Sequence, residues 1–270
     1  MIHPLIEGLL DIGQKAADAI LEIYAQENLF IEVKADDSPL TAADRAAHQI
    51  IKAGLTGLTP EIPMVSEEDE SNWASMQWPV DEKYWVIDPL DGTKEFIKRN
   101  GEFSVNIALV ENGYPTLSVV VLPAHHCTYF ATTGKGSYRL DWVCDHPVRI
   151  KAKDARLEDH ALRVVVSRSH LDDTTKKILG GLNDPVPTPL GGSMKFTRIA
   201  EGLADFYPRF GPTMAWDTAA PQLVLEEAGG RLLDWETKLR KQYLRKGLKN
   251  GYFVAAGKLK GLDEFMHYAI

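Results

Sequence analysis

Between positions 5 and 24 the apolar residues Ile6, Leu9, Leu10, Ala16, Ala17, Ile20 and Tyr24 recur at helical spacing, which predicts an amphipathic helix. The period then changes, and Phe30-Ile31-Glu32-Val33-Lys34 alternates as a strand does. Thr41 is a candidate N-cap with Asp44 three residues on, a capping box with Asp in place of Glu, and that helix is expected to reach about Leu55. Pro63-Met64-Val65-Ser66 reads as a short strand ending in the acidic run Glu67-Glu68-Asp69-Glu70, and residues 71–80 as an excursion loop. Trp85-Val86-Ile87 predicts a buried strand that stops at Pro89, which cannot continue a central strand. Thr93 then opens a short helix running to Arg99.

Phe103 to Val110, a turn at Glu111-Asn112-Gly113, Leu117 to Leu122 and Tyr129 to Thr132 predict an antiparallel meander through about Ile150. Beyond it the pattern alternates. Leu162 to Val166 is a near-continuous apolar strand, followed by helices at Asp172 to Leu179 and Ser193 to Glu201 and a strand at Asp205 to Tyr207. A last helix is expected from Asp217, as its N-cap, to Gly229-Gly230, with Pro221 near its fourth position costing one early hydrogen bond, and Tyr252 to Ala255 forms a late strand. This predicts an N-terminal α+β half over 1–155 and a C-terminal α/β half over 156–270.

Composition narrows the class without naming a function. The chain has 270 residues, 44% of them hydrophobic and 25% charged, enough for one large domain or two joined ones with a real core. A net charge of −8 argues against a nucleic-acid polymer as partner, though not against a small nucleotide. Cys127 and Cys144 are too few for a disulfide framework and read as small buried hydrophobes in a reducing compartment. No apolar run approaches ~20 residues, and the start lacks a signal peptide's features, so a cytoplasmic enzyme is expected.

The chemistry gathers at Asp88-Pro89-Leu90-Asp91-Gly92-Thr93. Two carboxylates at a strand end attract hard cations, and amides at the following helix start attract an anion such as phosphate. An EF-hand is excluded, because its acids alternate before the glycine and these do not. A plain Asp-Gly turn remains the alternative for Asp88 and Asp91, helix capping for Asp44 and Asp217, and a solvated loop for the acidic run that includes Glu67.

Taken together, Val65-Ser66-Glu67-Glu68, Trp85 to Thr93 and Trp216-Asp217-Thr218-Ala219-Ala220 resemble the three motifs of the inositol monophosphatase superfamily of metal-dependent phosphatases. Within it, Lys94 to Phe103 and Tyr207 to Thr213 look like the bacterial CysQ-type branch of 3′(2′),5′-bisphosphate nucleotidases. The resemblance implies a layered α-β-α-β-α sandwich with the site between its halves. It implies two or three Mg²⁺ ions on Glu67, Asp88, Asp91, Asp217 and the Leu90 carbonyl, with Thr93 and Asp44 as an activating pair. Glu67 and that pair would orient and deprotonate a water. Substrate positions map onto Gly92, Thr93, Lys94, His170, Ser193, Lys195, Arg209 and Asp217. The implied reaction is adenosine 3′,5′-bisphosphate plus water giving AMP and phosphate, with the sulfated nucleotide PAPS as a second substrate.

The chain departs from that branch at Gly192, where a serine is usual, and at Pro221, where a glycine is. Two rivals stand beside the nucleotidase: an inositol phosphatase on the same scaffold, and a non-catalytic nucleotide-binding or lithium-responsive protein. The basic run Lys238, Arg240, Lys241, Arg245, Lys246 and Lys249 reads as a solvated surface, or else as a weak contact with the cytoplasmic side of the inner membrane. Monomer and homodimer both remain open.

Overall fold

The protein is described here by a computed structural model covering residues 3–27, 31–33, 39–69, 83–144, 146–168, 171–243 and 248–268. The expected excursion at 71–80, His170, Arg245 and Lys246 lie outside the described residues.

The outer layer consists of α1 (Ile6–Tyr24) and α2 (Ala42–Leu58), with a small antiparallel ribbon of β1 (Ile31–Val33) and β2 (Pro39–Thr41) leading into α2. The expected capping box forms: Thr41 Oγ1 accepts from the Ala43 amide at 3.2 Å, and the Asp44 carboxylate accepts from the Thr41 amide at 2.7 Å. Such a cap stabilises a helix by roughly 1 kcal/mol. Small residues bring the two helices close; a Cβ on Gly54 would stand 2.5 Å from Ile12.

Beneath them lies a seven-stranded sheet. Its strands in spatial order are β3 (Met64–Ser66), β4 (Lys83–Asp91), β5 (Ser104–Glu111), β6 (Tyr114–Leu122), β7 (Cys127–Thr132), β8 (Gly136–Asp141) and β9 (Val148–Arg149), parallel only between β3 and β4. The helix α3 (Thr93–Ile97) follows β4. Asn112 and Gly113, both at positive φ, make the tight β5–β6 turn. Side chains alternate in the way period two demands. Trp85, Ile87, Val105 and Ile107 pack on α1 and α2, while Tyr84, Val86, Ala108 and Val120 face the molecule's interior. On β4 the interior parity falls next on Asp88. The strand does not stop at Pro89 as expected: β4 continues to Asp91, and the ladder to β5 shifts register between Asp88 and Asp91. That irregularity accommodates a residue with no N–H to donate.

The strand β10 (Asp154–Arg156), which spans the expected boundary at 155, pairs in parallel with β16 (Lys258–Lys260). A five-stranded sheet runs in the order β12 (Val186–Leu190), β11 (Arg163–Ser167), β13 (Phe206–Arg209), β15 (Phe253–Ala256) and β14 (Arg231–Asp234). Its outer face packs Val164, Phe206 and Val254 against α4 (Asp173–Gly181) and α7 (Leu262–Tyr268) through Ile178, Leu262 and Met266. Between the two sheets lie α5 (Met194–Ala200) and α6 (Ala219–Glu227), where Phe196, Ile199, Leu223 and Val224 join one core with Val86, Val120, Val165 and Tyr207. The order helices, sheet, helices, sheet, helices is the expected α-β-α-β-α sandwich.

Several local expectations change. Asp217 does not cap the last long helix; it ends a 3₁₀ turn (Ala215–Asp217), and Thr218 is the N-cap. Pro221 therefore sits at the third helical position, inside the first turn, and the helical ladder begins only with the Gln222 amide bonding the Thr218 carbonyl at 2.8 Å. It costs no hydrogen bond. Cys127 is buried as expected, but Cys144 is exposed. Of the basic run's described residues, Arg240 pairs with Glu226 and Lys241 is buried against Asp234, while Lys238 lies over the Trp235 ring and Lys249 is exposed. No described helix is long and apolar enough to cross a membrane.

Candidate active site

Three carboxylates from two chain segments converge at the seam between the sheets. Asp88 and Asp91 come from the irregular end of β4, and Asp217 from the 3₁₀ turn before α6; each offers an oxygen within 4.8 Å of the others. One Asp88 oxygen accepts from the Leu90 amide at 3.0 Å, whereas the other is buried with no hydrogen-bond partner among the described residues. An orphaned buried carboxylate oxygen is costly. Burial first, then the neighbouring charges of Glu67, Asp91 and Asp217, hold the Asp88 carboxyl well above the usual range. Asp217 is pushed up to about 8 by burial and by Asp91, although its carboxylate accepts from the Met214 amide at 2.6 Å. Oxygen donors, mutual repulsion and an unsatisfied lone pair suit a hard cation.

Beside this cluster the backbone makes a tight turn into α3. Gly92 has φ +92° and its Cβ would meet the Glu102 carbonyl at 2.8 Å, so only glycine fits the turn. The ladder of α3 begins with the Glu95 and Phe96 amides on the Gly92 carbonyl, which leaves the amides ahead of them outside it. Thr93 Oγ1 stands 3.4 Å from Asp44 Oδ1 and 3.3 Å from the Leu90 carbonyl. Asp44 is thus both a cap and a neighbour of Thr93. Glu67 lies beside the cluster, its amide on the Ile87 carbonyl at 3.1 Å and its charge felt by Asp88 and Asp217, but it is outside the group of three.

The opposite wall is cationic. Lys195 on α5 and Arg209 at the end of β13 line one cavity with Asp91 and Asp217, with Tyr207 and Phe253 behind. Lys195 Nζ lies 5.8 Å from the Tyr207 ring centre, and burial pulls its ammonium below the usual lysine range. Arg209 donates to the Pro212 carbonyl at 3.2 Å; among the described residues its buried Nε has no partner and no carboxylate pairs with it. A second cavity, sharing Asp91, Gly192 and Lys195, extends past Thr93 and the exposed Lys94 to Arg168.

The profile of the inositol monophosphatase family matches residues 1–267. The chain belongs to that family. It is one of metal-dependent phosphatases, which agrees with the carboxylate cluster. Over 254 residues the chain is 44% identical to the 3′(2′),5′-bisphosphate nucleotidase CysQ of Salmonella typhimurium, covering 91% of this chain and 98% of that protein. For the enzyme of the same name from Escherichia coli K12 the figures are 45% over 238 residues, 87% and 92%. Among solved structures, CysQ from Bacteroides thetaiotaomicron superposes with a TM-score of 0.81 at 36% identity, covering 96% of this chain and 99% of that one.

Within this family frame, Ser193 stands where a substrate contact was expected, but its hydroxyl donates to Asp91 at 2.9 Å. Two residues that sequence reasoning passed over complete the Asp91 surroundings. Ser104 Oγ and Asn106 Nδ2 each lie 3.4 Å from Asp91 Oδ2, and Asn106 also reaches the Trp216 carbonyl at 3.4 Å, tying the second motif to the third. Their signal was present: two polar residues, two apart, on one face of an otherwise apolar strand. The usual serine at position 192 would also be strained here, because Gly192 has φ +48°.

Proposed function

We propose that this protein is a Mg²⁺-dependent 3′(2′),5′-bisphosphate nucleotidase that removes the 3′-phosphate of adenosine 3′,5′-bisphosphate. One observation carries the reading: Asp91 and Asp217 of the carboxylate cluster line one cavity with two cations, Lys195 and Arg209, for which no ion pair is formed among the described residues. A substrate with one phosphate would engage the first wall and leave the second uncompensated. A bisphosphate engages both. The nucleotidases described above, alike over most of their length, support the same substrate class.

Asp88, Asp91 and Asp217, with Glu67 and the Leu90 carbonyl, would hold the magnesium ions, which when bound supply a Lewis acid and lower the pKa of a coordinated water. Ser193, Ser104 and Asn106 orient Asp91. The Thr93 hydroxyl, placed between Asp44 and the Leu90 carbonyl, orients the attacking water, and Glu67 with the Thr93–Asp44 pair accepts its proton. The Gly92 and Thr93 amides meet the scissile phosphate as fixed dipoles. Arg209 suits bidentate recognition of the second phosphate and Lys195 a point-charge contact, with Lys94 at the rim. Contact of His170 with the nucleoside and turnover of PAPS belong to the same proposal. The test is phosphate release with and without magnesium, from adenosine 3′,5′-bisphosphate and from inositol 1-phosphate. Preference for the inositol ester, or turnover unaffected by chelator, would overturn the reading.

A further inference from the structure

Glu102 belongs neither to the carboxylate cluster nor to the cationic wall, yet it touches the loops that carry both. It sits just ahead of β5, in the first half. Its carboxylate, 12% exposed, accepts a fork from Arg168 just past the end of β11, Nε at 2.7 Å and Nη2 at 2.5 Å. The same carboxylate accepts the Gly191 amide at 2.8 Å, and Arg168 Nη2 also reaches the Pro189 carbonyl at 2.7 Å. The backbone is as closely engaged. A Cβ on Gly92 would stand 2.8 Å from the Glu102 carbonyl oxygen, and one on Gly191 or Gly192 would stand 3.0 Å from it. The Glu102 amide donates to Asn100 at 3.0 Å, and two residues on, Ser104 Oγ accepts the Ser193 amide at 3.2 Å.

We infer that Glu102 is the positioning residue that fixes the 191–193 loop of the second half, and through it Ser193 and Lys195, against Asp91 and the Thr93 turn. The loop needs such an anchor. Two successive glycines leave it with large conformational freedom, and the residues that follow carry the Asp91 hydrogen bond and the buried ammonium. Without the carboxylate, the Gly191 amide and the Arg168 fork lose their acceptor together. A displacement of about 1 Å in a reacting arrangement costs on the order of 100-fold in rate. The inference rests on the nucleotidase reading for its substrate, though not for its geometry.

The experiment compares Glu102→Ala, Glu102→Gln and a control, Asp205→Asn. Asp205 accepts an equivalent fork and a backbone amide from Arg163 at the far end of the same β11, remote from the cavity. Steady-state kinetics on adenosine 3′,5′-bisphosphate, thermal midpoints and amide hydrogen exchange are read on each. Glu102→Ala is expected to lower kcat/KM about 100-fold and to speed exchange over residues 190–194 selectively. Glu102→Gln keeps an acceptor for Gly191 and should recover most of the activity. Asp205→Asn should lose midpoint with kcat/KM unchanged. Glu102→Ala with kcat/KM within threefold of wild type, or with exchange accelerated evenly throughout, overturns the inference. Should the alanine variant not fold, a glutamine variant no more active than Arg168→Ala does the same. Wild-type turnover of inositol 1-phosphate alone would sink the substrate assignment, and the variant ratios would then be measured on that ester.

Discussion

The two walls of the active-site cavity are built in opposite ways. The anionic wall draws Asp88 and Asp91 from a single four-residue stretch of β4 and adds only Asp217 from elsewhere. The cationic wall takes Lys195 from a helix and Arg209 from a strand of the other sheet, fourteen positions away, and both depend on layer packing to meet. Local backbone geometry concentrates like charges that retained protons or a bound cation relieve. Tertiary packing supplies the opposite charges at a distance. On the proposed reading the first arrangement serves chemistry and the second selection, so the walls should separate in kinetics.

The sharpest test of the anionic wall is Asp91→Asn, which preserves size and the turn while removing a shared charge. Activity should fall by at least ~100-fold, the scale of losing one preorganised electrostatic element, with the fold intact by circular dichroism. Near-normal turnover at saturating magnesium would remove Asp91 from the ligand set. Asp44→Asn asks whether the capping box is its whole role, since an asparagine side-chain oxygen can still accept the Thr41 amide. Polarisation of Thr93 predicts a fall in kcat of about 100-fold, the low end of general acid–base effects, with KM little changed. An unchanged kcat would leave Asp44 as a cap alone.

On the cationic wall, Arg209→Ala should raise KM for adenosine 3′,5′-bisphosphate at least ~10-fold, the low end of losing ~1.5–3 kcal/mol from a charge-assisted hydrogen bond. Hydrolysis of 3′-AMP, poor in the wild type, should hardly respond. Equal losses on both substrates would mean that Arg209 supports the fold and does not read the second phosphate.

The smallest effect concerns stability. Asp88 and Asp217 hold their protons more tightly folded than unfolded, Asp217 to about 8. Their contribution is therefore greatest at the acid side and declines as pH rises from the unfolded value of about 4 through 8. Without metal the thermal midpoint should drop across that window by several degrees, at about 2–4 °C per kcal/mol. Excess magnesium should flatten the slope, because the cation replaces the protons. A metal-free midpoint that rises steadily from pH 5 to 8 would contradict it.

The same contrast explains what the sequence made legible. Asp88, Asp91, Thr93 and the Thr41–Asp44 box announce themselves through turn chemistry and spacing within a few residues. The meander of β5 to β8 and the helices α1 and α2 do so through period. Asp217 was located correctly but with the wrong local role, because a 3₁₀ turn and the first turn of an α-helix share their capping signals. The strand β12 was missed because Val186-Pro187-Thr188-Pro189-Leu190 reads as a loop. The contacts of Ser193, Ser104, Asn106 and Glu102 were out of reach, since each spans roughly 10 to 100 positions and depends on which layers meet.

The proline pattern of β12 has a consequence for solubility. The Val186 amide bonds the Leu162 carbonyl of the preceding segment, so period two turns positions 187 and 189 outward, to the free edge of the five-stranded sheet. Both are prolines, and the edge therefore offers no N–H there to an incoming strand. Of the outward acceptors, the Pro189 carbonyl is already taken by Arg168. A row of unpaired strand groups is a template for runaway pairing between molecules. Here its donors are blanked, and the residue that fills its last acceptor is the same arginine that grips Glu102 beside the active site.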